Sequence, residues 1–153
     1  RWNSIFNINF GINKDDSAGR HWMYFPEKEF SFFRIGFYSN FSPYLAPNGF
    51  SSIYIEMSYS KNKPIDKTGI MSRVEEELKA AGILKSKKQI LCRHINDIKY
   101  AYPIYDKNYI YNRDKIIRYL LSNSILPCGR YGSWQYFSIE NTILDGKRIS
   151  DLF

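Results

Sequence analysis

Apolar and polar positions alternate at the start of the chain. Trp2, Phe6, Ile8, Phe10 and Ile12 alternate with Asn3, Asn7, Asn9 and Gly11, and a period of two predicts a half-buried strand over 2–12. The polar run Asn13-Lys14-Asp15-Asp16-Ser17 reads as a turn. Aromatic-rich strands are expected over 21–26 and 31–39, joined by Glu27-Lys28-Glu29. Pro43, Pro47, Asn48 and Gly49 form a loop, and alternation resumes over 52–60 with Ile53, Ile55, Met57 and Tyr59 on one face. Successive strands with short connections imply an antiparallel sheet.

Between residues 66 and 81 the period changes. Ile70, Val74, Leu78 and Ala81 fall on one helical face, with Gly82 placed as a stop, so this helix is expected to cover the sheet. A strand follows over 89–102, then a helix over 108–121 with Ile110, Ile117, Leu120 and Leu121 aligned. From Leu126 the pattern is a short apolar strand, an aromatic turn and a last helix capped by Ser138, whose Ile139, Ile143, Leu144, Ile149 and Leu152 predict a buried face. The fold class is α+β, a mostly antiparallel sheet with covering helices. No linker or repeat divides the chain, which predicts one compact unit over 1–153.

Composition supports a globular chain, since 44% of the 153 residues are hydrophobic and 18% aromatic. No apolar run approaches the roughly 20 residues of a membrane span, and the default setting is cytoplasmic. The net charge of +7 raises a second reading, a non-enzymatic basic, aromatic module for nucleic acid or a protein partner. The cations are scattered, however, and the densest run, Lys85-Ser86-Lys87-Lys88, reads as a solvated loop. Cys92 and Cys128 are too few and too far apart for a disulfide framework or a metal site, and are expected in the core. His94, two residues from Cys92, and His21, beside Trp22, are expected to be structural.

Two places carry candidate chemistry. The last helix opens beside Gly129 and Arg130; its unpaired N–H groups and positive end suit a phosphate or a reduced flavin ring, and Arg130 adds a fixed cation. Arg34 lies inside the apolar strand Phe33-Arg34-Ile35-Gly36 and needs an anionic partner. A structural pair with Glu56 is preferred, with a substrate phosphate as the alternative.

The string Gly129-Arg130-Tyr131-Gly132, followed by Trp134, Tyr136 and Ser138-Ile139-Glu140, resembles the C-terminal flavin-contacting segment of the UDP-galactopyranose mutase-like flavoproteins, within the amine oxidase and protoporphyrinogen oxidase group. In the mutases an acidic residue and a methionine open the last helix; Ser138 and Ile139 replace them here. Tyr102-Pro103-Ile104-Tyr105-Asp106 resembles the mutases' Tyr-Pro motif. The resemblance implies that Gly129, Arg130 and the backbone of Ser138, Ile139 and Glu140 meet FAD, and that Tyr102 and Tyr136 hold the diphosphate of a nucleotide sugar. Arg34 joins them as a substrate-binding candidate. No catalytic residue and no metal ligand is assigned. A register of the first strand puts Phe6 where the mutases carry a substrate-contacting arginine, which would weaken diphosphate binding here.

The resemblance further implies that 1–125 is a substrate-domain portion and 126–153 a flavin-capping strand and helix of a larger enzyme of cell-envelope polysaccharide synthesis. The chain begins at Arg1 within a strand pattern and has no G-x-G-x-x-G fingerprint. It is therefore expected to be a C-terminal fragment that needs a separate dinucleotide-binding domain for FAD, is inactive alone, and exposes apolar surface that promotes self-association.

Overall fold

The computed structural model describes residues 1–13 and 19–152, so the turn expected at 13–17 lies largely outside the described residues. The elements in chain order are strands β1 (Trp2–Asn13), β2 (Trp22–Tyr24) and β3 (Arg34–Phe37), the short helix α1 (Tyr38–Phe41), strand β4 (Phe50–Tyr59), helix α2 (Ile70–Ala80), strand β5 (Ile90–Pro103), and helices α3 (Tyr109–Ser122), α4 (Gly129–Gly132) and α5 (Ile139–Ser150). Together they form the expected α+β fold, built on one sheet of order β2-β3-β4-β1-β5.

The sheet is antiparallel. β1 pairs with β4 so that Phe6, Ile8 and Phe10 lie opposite Met57, Ile55 and Ile53, and β3 joins β4 with Ile35 opposite Ile55 and Phe37 opposite Ile53. This register puts every apolar position of the alternation on one face. That face carries the core, all of these residues being buried, and α2 covers it with Ile70, Val74 and Leu78. Gly82, at φ +70°, ends the helix as predicted: Ile83 N–H reaches back to Leu78 O at 3.0 Å. The 21–26 and 31–39 strands are shorter than expected. The chain passes from β3 directly into the helical turn α1, and Pro26, which has no N–H, follows β2.

By its internal contacts the chain groups into two units, Ser4–Lys99 and Arg1–Asn3 with Tyr100–Phe153, the division falling within β1 and β5. Several expectations are corrected. No strand forms at Leu126. Residues 125–128 have no ladder partner among the described residues, Pro127 supplies no donor, and the chain turns at Gly129 (φ +74°) into α4. The apolar stripes of α3 and α5 form at helical spacing but are not buried. Ile110 and Leu121 on α3 and Ile139, Ile143, Leu144 and Leu152 at α5 are all exposed, because no second layer of the described chain lies over them.

Cys92 and Cys128 are exposed free thiols, not core residues. Cys92 lies on β5, at the sheet's edge, where burial is slight; its Sγ stands where a side chain on Gly11 would have to be, 2.5 Å from an added Cβ. Phe6 is buried in the core against Met57. Its ring is taken up by packing within the chain, which leaves no open surface at this position among the described residues.

Candidate functional site

In the unit formed by Arg1–Asn3 and Tyr100–Phe153, three of the predicted residues converge. Tyr102 is the last residue but one of β5, Arg130 lies on α4 and Tyr136 precedes α5. The two tyrosine rings stack at 5.9 Å with 20° between their planes. The Arg130 guanidinium carbon lies 4.7 Å from the Tyr102 centroid and 5.2 Å from that of Tyr136, so the cation rests against both π systems. Its Nη2 donates to Ala101 O at 2.8 Å. Its Nε is buried and has no hydrogen-bond partner among the described residues. A buried guanidinium N–H without an acceptor is costly, so this arrangement is suited to an anion or a carbonyl supplied by a ligand.

The backbone holds the cluster. Tyr136 N–H donates to Tyr105 OH at 2.6 Å, and Tyr105 packs edge-on against Tyr109 at 4.5 Å. Tyr109 OH in turn donates to Trp134 O at 2.5 Å, fixing a tryptophan at φ +48°, a conformation non-glycine residues rarely adopt. Burial, ahead of its other neighbours, raises the Tyr109 pKa, so the phenol stays a donor. Beside this lies a cavity of about 910 Å³, lined by Trp2, Tyr100, Tyr109, Arg113, Ile117 and Trp134 among others. Arg113 also has a buried Nε without a partner.

The helix end is more occupied than the sequence implies. Ser138 Oγ accepts from Asn141 N–H at 3.0 Å, and Asn141 Oδ1 accepts from Ser138 N–H at 3.1 Å, a reciprocal capping box. Gly129 N–H donates to Asp145 Oδ2 at 2.8 Å. Of the backbone donors predicted for FAD, those of Gly129 and Ser138 are therefore committed within the chain. The amides of Ile139 and Glu140, at the first two positions of α5, have no carbonyl inside the helix to bond. With Arg130 Nε they are the predicted groups that the helix and its cap leave open. Asp145 and Tyr105 were not foreseen. Tyr105 could have been, since it sits in the Tyr-Pro segment; Asp145 acts across 16 residues and leaves no local signal.

Arg34 belongs to the other unit. On the sheet face opposite the core, Glu56 Oε2 accepts from its Nε at 2.5 Å and Tyr24 OH from its Nη1 at 3.2 Å. The guanidinium lies 5.7 to 5.9 Å from the Tyr24, Phe33 and Tyr54 rings. Burial disfavours its charge, but the Tyr24 and Glu56 contacts outweigh that and raise its pKa above the ordinary value. The Glu56 pairing is the structural one expected, made between directly opposite residues of neighbouring strands. His21 is structural as expected, with Nε2 3.0 Å from Asn40 O and its ring against Phe41; His94 is exposed on β5. Among the described residues no group of three potential metal ligands occurs, and no helix is long and apolar enough to cross a membrane.

This fold is shared with protoporphyrinogen oxidase-like proteins. A putative protoporphyrinogen oxidase from Exiguobacterium sp. 255-15 matches 99% of the chain with a TM-score of 0.70 at 10% identity, over 34% of its own length. A reduced UDP-galactopyranose mutase is more similar still, matching 89% of the chain with a TM-score of 0.80 and 27% identity, over 30% of its length. These are the group and the branch that the motifs resemble. The chain spans about a third of each of these proteins. No protein-family model matches it.

Proposed function

We propose that the chain is the substrate-binding and flavin-capping part of an FAD-dependent oxidoreductase or UDP-galactopyranose mutase-like enzyme, acting on a nucleotide sugar in cell-envelope (lipopolysaccharide) synthesis. The observation that supports this reading is the Tyr102–Arg130–Tyr136 cluster with its unpaired, buried Arg130 Nε. Arg130, with the Ile139 and Glu140 amides, would hold the flavin, the cation and helix end favouring negative charge on the reduced ring. Bound there, the flavin supplies the redox or nucleophilic chemistry. Tyr102 and Tyr136 offer phenolic donors to a diphosphate without adding charge.

Arg34 is the substrate-binding candidate on the sheet. It stands on the face opposite the core, where Glu56 Oε2 takes its Nε and Nη2 and Tyr24 OH its Nη1, which leaves one hydrogen on each Nη for a phosphate. A cytoplasmic setting suits both a nucleotide-sugar substrate and two free thiols. To test the reading, the full-length protein is purified and its absorbance recorded. A flavin spectrum that is lost or weakened in Arg130→Ala supports it, whereas a colourless protein that takes up no added FAD overturns it.

A further inference from the structure

The outer edge of the sheet offers an interaction surface. β5 is the terminal strand of the order β2-β3-β4-β1-β5, and every residue from Leu91 to Tyr100 is exposed, Leu91 by 53% and Ile95 by 45%. A long edge strand with apolar side chains and no proline before Pro103 presents a row of backbone donors and acceptors ready for another strand. We propose that β5 pairs antiparallel with β5 of a second copy of this chain, joining two sheets across a two-fold axis at Ile95.

The sequence of the edge is self-complementary about that point. With Ile95 opposite its own copy, antiparallel pairing sets Arg93 opposite Asp97, and His94 opposite Asn96, twice each by symmetry. Arg93, Ile95 and Asp97 share the face turned toward α2, since Arg93 Nε reaches Glu75 Oε1 at 2.8 Å and Asp97 is held by Lys67 and Tyr59. Each cross-edge contact therefore extends an existing chain of alternating sign, from Glu75 through Arg93 to Asp97 and Lys67 of the second copy. The central Ile95 pair adds apolar contact between these two polar clusters. A register shifted by one residue would move Arg93 and Asp97 to opposite faces and lose both pairs. The net charge of +7 opposes association at long range, and because salt screens both that repulsion and the exposed Arg93–Asp97 pairs, physiological ionic strength is the fitting condition.

The 153-residue chain is examined by sedimentation equilibrium over a concentration series in physiological salt. The expected species has twice the chain mass of 18.1 kDa, and Ile95→Lys, which places two like charges opposite each other, is expected to be monomeric with an unchanged far-UV circular dichroism spectrum. Intermolecular disulfide formation gives a second readout with both native cysteines replaced by serine. Ile95→Cys should crosslink, because directly opposite Cα atoms lie about 4.5–5.5 Å apart. Leu91→Cys should not, since its own copy lies eight residues along the pair, roughly 27 Å away. A monomeric wild type, a dimer that survives Ile95→Lys, or equal crosslinking at 91 and 95 overturns the proposal.

Discussion

Gly129 and Asp145 are joined by a hydrogen bond that ties α4 to α5: the glycine amide donates to Asp145 Oδ2 at 2.8 Å. Gly129 sits at φ +74°, so the hook needs both a residue that tolerates the left-handed region and a carboxylate one turn from the end of the facing helix. The Gly129 amide, and then Arg148, hold the Asp145 pKa below its ordinary value. A depressed carboxylate pKa contributes stability that is present above the unfolded value of about 4 and lost as pH falls through the folded value. Asp145→Ala should lower the melting temperature at neutral pH, by about 1 kcal/mol in stability, and the gap to wild type should close on acidification. Gly129→Ala should cost about 1 kcal/mol at every pH, since an added Cβ meets only an ordinary contact with Thr142, at 3.7 Å. Thermal melts across the pH range separate the two effects.

The Arg34–Glu56 pair is largely sheltered, the side chains being 21% and 13% exposed. Removing one partner strands the other charge on the sheet. Arg34→Met and Glu56→Gln should each destabilise by about 2 kcal/mol, while the double variant should cost less than their sum by at least about 1 kcal/mol. Denaturant unfolding of the four proteins measures this coupling, and strict additivity would show that the pair contributes no specific interaction.

On the same face Tyr54 lies over Gly36, its cross-strand partner. A Cβ on Gly36 would come within 2.0 Å of the Tyr54 ring, so Gly36→Ala must expel the ring from its contacts with Tyr38, at 4.7 Å, and Arg34. The expected loss is about 1–3 kcal/mol. In a Tyr54→Ser background the three atoms nearest the added methyl group are gone, and the same substitution should cost far less, because alanine also restricts the unfolded chain more than glycine. Unfolding curves of both alanine variants check the difference.

How far the sequence could be read depended on whether an element's environment lies within the chain. β1, β4 and α2 were legible because Ile8, Ile55 and Val74 are each covered by other residues of the same 153, so periodicity and burial agree. α3 and α5 were legible as helices, but periodicity says only which side is apolar, and Ile139 at 83% exposure has nothing over it. Leu126–Cys128 has the composition of a strand, yet a strand is completed by a neighbour's hydrogen bonds. At the candidate site, Tyr102, Arg130 and Tyr136 were named and do meet. The capture of Gly129 by Asp145 was invisible, since a contact across 16 residues follows from helix packing and from no local pattern.

The same distribution of groups predicts how the isolated chain treats FAD. Of the groups proposed for FAD among the described residues, Arg130 and the first amides of α5 are left open, while the Gly129 and Ser138 N–H groups are already used. The pyrophosphate of FAD would need several backbone donors converging at a glycine-rich strand-to-helix turn, and no G-x-G-x-x-G occurs in the 153 residues. The remaining contacts are one cation and two exposed amides, too few to immobilise a large, flexible dinucleotide against its entropy. Titration of residues 1–153 with FAD, followed by flavin fluorescence, should therefore give a Kd weaker than about 1 μM. Arg130→Ala should weaken whatever binding is seen. Submicromolar binding by the wild-type chain would mean that the cluster at Tyr102, Arg130 and Tyr136 is a complete cofactor site and not part of one.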